Sequence, residues 1–526
     1  MASMLQNLKK MINNYFKNLT EYLFLLLLRL RFRKNTYENF KDLNFKQNDF
    51  TNYKIIKHYI LKNNFINNIT IQDIHSFNFL LFYQKLGGKK GINLSKENIF
   101  GWFDTYKYYM NFPWKDDYAS KRFINILYNY DFICSTSNNK EIKKINYILN
   151  FHIQRIVFDI KRKKIEDVSS YDVLAFVLIK FINNNFNKYS FNNIIEIVNS
   201  QIDENSMHKS YNILEHAKCI NNLNEVKNIL LFFKFNTSEI LNNKILAMTA
   251  LLNSYKHNDL SLPLFNGCNN NHNIEIRKIF KEEQFLKNVS LKKFINGIAF
   301  YKDQNKSIFF DVVQPTKYGF NKELCAGSLA IEISAEDEKI ITNCGGTEAG
   351  GKNPGYLKYS AAHSTIIINN TNISEIKESY INKTFPKQVI FETKDYDNWV
   401  SISGSHNGYL KNYRKICKRE LIINKNRSLF EGEDTIISTK SNIEKTVYHI
   451  RFHLTPEIST TMTKNKKNVI IKTEKNNIWM FKSDNEIMIE KSIYVKNDMA
   501  IETSQIVISG VTSLLKNKIK WSLEKI

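Results

Sequence analysis

The sequence predicts a multidomain α+β protein, with an N-terminal all-α domain followed by a C-terminal antiparallel β-sandwich. The chain has 526 residues, which is too long for one ordinary hydrophobic core and is typical of two domains. Apolar residues recur at helical spacing up to about residue 270, and short β-branched runs replace them from about residue 286. We therefore predict a helical domain over residues 1–280 and a sandwich over residues 281–526.

The first half of the chain contains successive segments with apolar residues at positions i, i+3, i+4 and i+7, as in amphipathic helices. Examples are "SKRFINILYNYDFI", "YDVLAFVLIKFINNNF" and "EILNNKILAMTALLNSYKH". Short connections rich in Asn, Asp and Ser join them, which favours antiparallel helices in a toroid or solenoid. The glycine and asparagines of "LPLFNGCNNNHN" should end the last helix, so we place the domain boundary between residues 270 and 290.

The second half contains short alternating or continuous β-branched runs. Examples are "SIFFDVV", "SLAIEIS", "WVSISGS", "RELIIN", "VYHIRFHL" and "IETSQIVISG". Turns of Asn, Asp, Gly and Lys separate these runs at the spacing of an antiparallel sandwich. The run "SLAIEISAEDEKIITN" reads as a hairpin with an acidic turn.

The chain is strongly basic, with 75 Lys and Arg against 51 Asp and Glu and a net charge of +24. Such a charge fits an acidic polysaccharide, nucleic acid or an anionic membrane as partner. The excess of Lys, Asn and Ile runs through every segment without a basic block, however, which is typical of a proteome-wide compositional bias. Charge alone therefore identifies no partner.

The N-terminus and the cysteines bear on location. The apolar run Tyr22–Leu28 is shorter than the ~20 residues that span a bilayer, and basic residues rather than a small-residue cleavage site follow it. We expect no transmembrane segment and no clear signal peptide, and a first helix that packs on the body or contacts a membrane peripherally through residues 22–34.

The six cysteines form no CxxC pair, so we expect free thiols rather than a disulfide framework.

Four ordered blocks between Ile308 and Glu375 carry a family resemblance. They are "FFDVVQP", "CAGSLAIEIS", "IITNCGG" and "YLKYSAAHSTIIINNTNISE". They resemble the heparinase II/III-like family, in which Asp-x-Gly-x-Pro precedes His-Ala-x-x-Leu-Ser-Phe-Glu, then Asp or Asn-Cys-Gly, then Ala-Ala-His-x-Thr. The resemblance extends through "FPWKDDYASKRFINIL" and "LPLFNG" upstream and "RFHLTPEI" downstream.

This resemblance implies an incomplete α/α toroid packed on the sandwich, and a polysaccharide lyase that cleaves an acidic, uronic-acid-containing glycan by β-elimination. In that reaction one group neutralises the uronate carboxylate, a Tyr or His takes the C5 proton, and another protonates the leaving O4. It implies no nucleic-acid partner. It also implies a bacterial cell envelope or periplasm, although the N-terminus predicts no cleavable signal, so localisation stays open.

The resemblance also implies a metal site. The family's metal ligands correspond here to His363, Cys325 and Asn343. Thiolate and imidazole are good zinc ligands, whereas a neutral amide is a poor one. A structural zinc is therefore one expectation, and the alternative is that His363 hydrogen-bonds inside the sandwich without a metal.

The catalytic candidates lie at the end of the helical half. Tyr255 follows the "DENSMHKS" block at about the interval of the family's catalytic Tyr, and Lys256 and His257 beside it could lower its pKa or bind carboxylate. His208 is a further catalytic candidate and Lys209 a further substrate-binding one. The alternative is that Tyr255 and His208 are packing residues of a helix.

Two departures from the family concern catalysis. In "DENSMHKSY" the family's histidine position holds Ser206, and His208 comes two residues later, about 200° around a helix if the segment is helical. The Gly-Asn-His-Leu block is replaced by "KKIEDVSSYD". The first hypothesis is thus a lyase with a diverged active site, and the second is a non-catalytic acidic-glycan-binding protein of the same fold. A third, a structural or nucleic-acid-associated protein, disagrees with the sandwich motifs.

Overall fold

The computed structural model describes most of the chain beyond residue 70. The described residues are 71–110, 112–235, 239–269, 297–315, 324–346, 355–377, 380–381, 384–439, 444–496 and 499–526, with Leu23, Ile279 and Phe320. Apart from Leu23 and Ile279, the N-terminal apolar run and the predicted domain boundary lie outside these residues. The division at residue 280 therefore stays a prediction.

Helices occupy the first half, as the apolar spacing predicts. They are α1 (Ile71–Ser76), α2 (Phe79–Leu86), α3 (Gly88–Tyr106), α4 (Tyr118–Tyr128), α5 (Tyr130–Cys134), α6 (Asn139–Ile160), α7 (Ser170–Ile182), α8 (Lys188–Gln201), α9 (Ile213–Phe232) and α10 (Glu239–Ser254). The longest begins at a capping box, in which Asn138 accepts from the backbone of Glu141 and the Glu141 carboxylate accepts in return. No helix of the described residues is long and apolar enough to span a membrane.

The second half consists of short strands. In chain order they are β1 (Ile298–Lys302), β2 (Lys306–Asp311), β3 (Ile331–Ala335), β4 (Glu338–Thr342), β5 (Ile366–Ile368), β6 (Ile376–Lys377), β7 (Tyr380–Ile381), β8 (Val389–Asp395) and β9 (Trp399–His406). After the short helix α11 (Leu410–Tyr413) come β10 (Lys415–Asn424), β11 (Leu429–Ser438), β12 (Val447–Leu454), β13 (Ser459–Met462), β14 (Asn468–Lys472), β15 (Ile478–Ser483), β16 (Ile487–Lys496), β17 (Met499–Val511) and β18 (Lys516–Lys525).

These strands form two antiparallel eight-stranded sheets, which confirms the predicted sandwich. One sheet has the order β1-β2-β3-β4-β12-β17-β16, with β5 also paired to β12, and the other runs β13-β14-β15-β18-β11-β10-β9-β8. A continuous core joins their inner faces, with Ile331 and Phe452 from the first sheet and Leu421 and Trp521 from the second. Burial alternates residue by residue along β10, as expected for a strand with one face on a core.

The strands β2 and β3 differ because every residue in them is buried. Ile308 and Ile333 point into the sandwich core, so the neighbouring residues Ser307 and Ser334 lie on the outer face. Residues 255–269, which follow α10 and are here called the covering segment, cover that outer face. The His257 ring lies 4.6 Å from the Phe309 ring, and the covering segment determines where the predicted catalytic residues lie.

A buried carboxylate attaches the covering segment to the sheet. The Glu332 side chain, fully buried on the outer face of β3, contacts His257 Nε2 at 3.0 Å and Lys339 Nζ at 2.9 Å, and it accepts from the backbone N–H of Leu264 at 3.0 Å. Burial alone would raise the pKa of Glu332, but the charge of Lys339 and the bond from His257 outweigh it and lower the pKa to about 2. Its contribution to stability is therefore present above the ordinary carboxyl pKa and is lost only as pH falls toward 2.

The chain divides into two compact units. One comprises Met1–Ser200 and Glu225–Asn236, and the other comprises Gln201–Asn224 and Thr237–Ile526. The second unit thus contains the sandwich, the covering segment and the loop before α9. Every candidate site residue named above belongs to this second unit.

Replacing Glu332 by Gln should lower the free energy of unfolding by about 3–5 kcal/mol, because Lys339 would remain buried without its counter-charge. Urea denaturation at neutral pH measures this loss. The matched control is Glu502→Gln, which removes the partner of Lys491 from an exposed ion pair and should leave the free energy of unfolding nearly unchanged, because solvent screens such a pair. If Glu332→Gln were as stable as Glu502→Gln, the role of Glu332 as the buried counter-charge of Lys339 would be contradicted.

Candidate functional site

Tyr255, the predicted base, lies in the core of the second unit. Its side chain is 0% exposed, and its hydroxyl donates to the backbone carbonyl of Ile298 at 2.9 Å. Its ring packs against Phe300 and Phe309 on the outer face of the sheet. Burial, with smaller effects of Asp203 and Tyr211, raises the pKa of Tyr255 well above its ordinary value. In this arrangement the phenol links α10 to β1, and its catalytic role stays a prediction.

His257 is also fully buried. Its Nε2 contacts Glu332, and its Nδ1 lies 3.0 Å from the Ser334 hydroxyl and 3.2 Å from that of Ser307. Burial and the charge of Lys339 lower the pKa of His257 to about 4. A neutral imidazole that donates from Nε2 and accepts at Nδ1 satisfies all three neighbours. These contacts account for both ring nitrogens of His257.

The two lysines predicted to bind substrate are half-buried. The Lys256 carbonyl accepts from Lys302 Nζ at 2.6 Å, and the Lys209 backbone N–H donates to the carbonyl of Gln201 at 2.9 Å. Lys256 lies between two core residues, whereas Lys209 lies beside His208 in the loop before α9. Substrate binding by either lysine stays a prediction.

The residues predicted as metal ligands come from neighbouring segments. Asn343 uses both ends of its amide, because Nδ2 donates to Glu332 at 3.1 Å and Oδ1 accepts from the backbone N–H of Ser364 at 2.9 Å. Cys325 is buried, and its backbone N–H donates to Asn266 Oδ1 at 3.2 Å. Asn343 therefore positions Glu332 and the strand after His363.

His363 is buried, and neither of its ring nitrogens has a hydrogen-bond partner. The ring packs so closely on Gly327 that a Cβ at that position would lie 3.0 Å from it. Burial lowers the pKa of His363 to about 4, so the imidazole is neutral at pH 7. Among the described residues no group of three or more His, Cys, Asp or Glu side chains is arranged to hold a metal ion. Zinc binding by His363, Cys325 and Asn343 stays a prediction.

The segment of residues 201–212, here called the histidine loop, starts at the last residue of α8 and otherwise forms a turn rather than a helix. Asp203 organises it, because Oδ1 accepts from the backbone N–H groups of Asn205 at 2.9 Å and Met207 at 2.8 Å. An isolated bridge pairs Ile202 with His208 across the turn. The displacement of about 200° expected for a helical segment therefore does not apply to His208.

Within the histidine loop, His208 is held as a neutral hydrogen-bond donor. Its Nδ1 lies 2.8 Å from the Ser210 hydroxyl and accepts from the Ser210 backbone N–H at 3.3 Å. An Nδ1 that accepts from an N–H leaves the ring proton on Nε2. Burial lowers the pKa of His208 to about 4. Of the histidines in the described part of the chain, only His208 and His449 are half-buried rather than buried.

Tyr211 was not among the predicted site residues, although it stands in the quoted "DENSMHKSY" block. Its hydroxyl donates to Asp203 Oδ2 at 3.1 Å. Burial, then the carboxylates of Asp203, Glu204 and Asp311, raise the pKa of Tyr211. Its ring lies over Gly297, where a Cβ would lie 2.7 Å from the ring and where the φ of +119° also favours glycine.

Asp311 and Asn266 are buried beside Tyr211, and both stand in blocks that carry the family resemblance. Burial raises the pKa of Asp311 to about 7, and its Oδ1 accepts from the Val313 backbone N–H at 3.0 Å. Asn266 accepts from Cys325, and its Nδ2 lies 3.5 Å from the Tyr211 carbonyl. The histidine loop, Asn266 and Asp311 form the candidate site, which offers a neutral imidazole N–H, a phenol and two carboxyl groups.

Among known proteins, a family model matches the second half of the chain, and solved structures share the fold of most of it. Residues 295–522 match the family model described as heparinase II/III-like, C-terminal. A crystal structure of heparinase III superposes with a TM-score of 0.68 at 12% identity, covering 86% of this chain and 76% of that chain. Heparan sulfate lyase HepC from Pedobacter heparinus superposes with a TM-score of 0.55 at 13% identity, with the same coverage.

One curated relative matches by sequence. FtsZ-localized protein C of Caulobacter vibrioides is 24% identical over 220 residues. The match covers 38% of this chain and 37% of that protein, so this chain spans little more than a third of the relative's length.

Replacing Tyr255 by Phe should lower the free energy of unfolding by about 1–3 kcal/mol, because a buried carbonyl loses its donor. Urea denaturation measures the change, and Tyr189→Phe, which alters a 74% exposed ring, is the control without an expected effect. Unchanged stability of Tyr255→Phe would contradict the observed hydrogen bond.

The imidazole of His208 should remain neutral down to about pH 5, with its proton on Nε2. Nitrogen NMR of the wild type, assigned by comparison with His208→Gln, reports both the tautomer and the pKa. A resonance that titrates near the ordinary histidine pKa of about 6.5, or a proton on Nδ1, would contradict the geometry of the histidine loop.

Proposed function

Residues 295–522 belong to the heparinase II/III-like C-terminal family, and on this premise we propose that the protein binds an acidic, uronic-acid-containing polysaccharide without cleaving it through Tyr255. The observation that carries the proposal is the burial of Tyr255 and His257. A general base must reach the proton that it removes, directly or through one water. In the described structure the Tyr255 hydroxyl donates to the backbone and both His257 nitrogens contact the buried network.

Charge and chemistry support an acidic ligand. The net charge of +24 attracts polyanions over long range, and the Nε2–H of His208 can donate to a carboxylate or hydroxyl oxygen of a sugar. The similarity to FtsZ-localized protein C, whose name describes a location rather than a reaction, also favours a binding role.

A second candidate function is elimination through the histidine loop. The observation that favours it is the half-buried His208, whose neutral imidazole can donate a hydrogen bond from Nε2 to the leaving O4. The proton that O4 takes up must then come from the group that removes the C5 proton or from water. The proton acceptor is the weaker part of this candidate. The raised pKa of Tyr211 disfavours the phenolate at neutral pH, and the Tyr211 hydroxyl already donates to Asp203.

Heparan sulfate, alginate and hyaluronan should bind the purified protein without a rise in ultraviolet absorbance, which elimination would produce through the new conjugated double bond. Titration calorimetry measures binding and a parallel absorbance assay measures turnover. His208→Ala should weaken binding about tenfold or more, because a hydrogen bond to a charged group contributes about 1.5–3 kcal/mol. The matched control, His449→Ala, removes the other half-buried imidazole among the described residues and should bind normally.

The outcomes separate the candidates. An absorbance rise that His208→Ala abolishes and Tyr255→Phe retains would establish the second candidate. A rise that Tyr255→Phe abolishes in a folded protein would overturn the proposal in favour of a lyase whose base is Tyr255. Absence of binding to all three polysaccharides would refute the acidic-glycan assignment.

A further inference from the structure

The first of the two compact units, Met1–Ser200 with Glu225–Asn236, is here called the helical unit. It contains a buried arginine in an aromatic environment. Arg122 of α4 is 0% exposed, and its guanidinium carbon lies 4.0 Å from the Trp102 ring and 4.5 Å from the Trp114 ring. Both tryptophans are themselves buried. Cation–π contacts of this kind favour the guanidinium, but they leave its N–H groups to be satisfied separately.

The hydrogen bonds of Arg122 use only part of its donor set. Nε donates to His152 Nε2 at 3.0 Å, and Nη1 donates to the carbonyls of His75 at 2.6 Å and Pro113 at 3.0 Å. All three acceptors are neutral, because His152 donates from Nδ1 to the Ile148 carbonyl when its Nε2 accepts. Nη2 is buried and has no hydrogen-bond partner in the part of the chain that the structure describes.

A second guanidinium increases the positive charge at this place. Arg155 of α6 is buried, and its guanidinium carbon lies 5.2 Å from the same Trp114 ring. Its contact with Asp159 is long, at 3.4 Å from Nε to Oδ2. Burial, and then the charge of Arg155, lower the pKa of Arg122, yet an arginine side chain does not give up its proton in a folded protein.

The sandwich shows how this chain accommodates a buried guanidinium elsewhere. Arg419 is fully buried and forms a two-point ion pair with Asp434, at 2.7 Å from Nε and 3.0 Å from Nη2. Its Nη1 donates to the carbonyls of Leu329 and Ser364. Arg419 thus has a counter-charge and four hydrogen bonds that use all three of its nitrogens, whereas among the described residues no carboxylate bonds to Arg122.

An uncompensated buried charge is strongly destabilising, and buried charges in proteins are accordingly paired. We propose that Arg122 Nη2 binds a small monovalent anion, a halide or a carboxylate, inside the helical unit. The anion supplies the acceptor and the counter-charge that the described residues around Arg122 do not. The burial of Arg122, Trp102 and Trp114 limits the ligand to a small group. This site is independent of the proposed glycan site, which lies in the other unit.

Iodide quenching of tryptophan fluorescence in the full chain tests the proposal. An iodide bound at Nη2 would lie beside the Trp102 and Trp114 rings, so quenching should contain a saturable component at low iodide. Buried indoles without a bound iodide should give only weak, linear quenching. Arg122→Met should lose the saturable component, and Arg427→Met, which removes the same charge from an exposed position, should keep it.

Bromide diffraction keeps the proposal testable if Arg122→Met does not fold. Crystals of the wild type in bromide should show anomalous density within hydrogen-bond distance of Nη2. Competition with acetate then identifies the anion: displacement of bromide indicates a small carboxylate, and bromide that stays bound indicates a halide. Linear quenching together with no anomalous density, as expected if water occupies the position, would overturn the proposal.

Discussion

The buried carboxylate of Glu332 is the constraint on which the second unit depends. A carboxylate that is 0% exposed is stable only when charged and hydrogen-bonding partners surround it. Its partners are His257, Leu264, Lys339, Thr342 and Asn343. They come from the segment after α10, from β4 and from the residue that follows β4. Meeting this requirement fixes that segment on the outer face of β3, and Tyr255 is buried as a consequence.

This arrangement determines which groups remain for function. The residues that would suit a lyase best by sequence, Tyr255 and His257, hold the covering segment in place. Asn266 on the same segment bonds to Cys325 and approaches the Tyr211 carbonyl, so the covering segment also positions the histidine loop. His208 is then the half-buried imidazole available beside Tyr211. The hydrogen-bonded network around Glu332 therefore buries Tyr255 and His257 and positions His208 beside Tyr211. This arrangement accords with a protein that binds an acidic glycan.

The sequence predicts the fold well, because periodicity and alternation report burial directly. The helical spacing of α6, the alternation of β10 and the family blocks around β3 are all visible in the residues. The role of Tyr255 could not be read in the same way, since the chain has 27 tyrosines and burial of this one depends on strand pairing far along the chain. The position of His208 could not be read from the sequence either, because the Asp203 side chain makes the turn and only the folded loop shows it. The sequence likewise does not show that the amide of Asn343 bonds to Glu332 and Ser364, because these contacts depend on how the strands pair.

Hydrogen exchange measured with and without an acidic oligosaccharide tests the central claim most directly, because it locates bound ligand without assuming a reaction. Amides of flexible or exposed segments exchange more slowly when a ligand orders or covers them. The account predicts slower exchange in the histidine loop, residues 201–212, and around Asn266. It predicts little change in the strands that surround Tyr255. Protection confined to other surfaces, with the histidine loop exchanging as in the free protein, would contradict it.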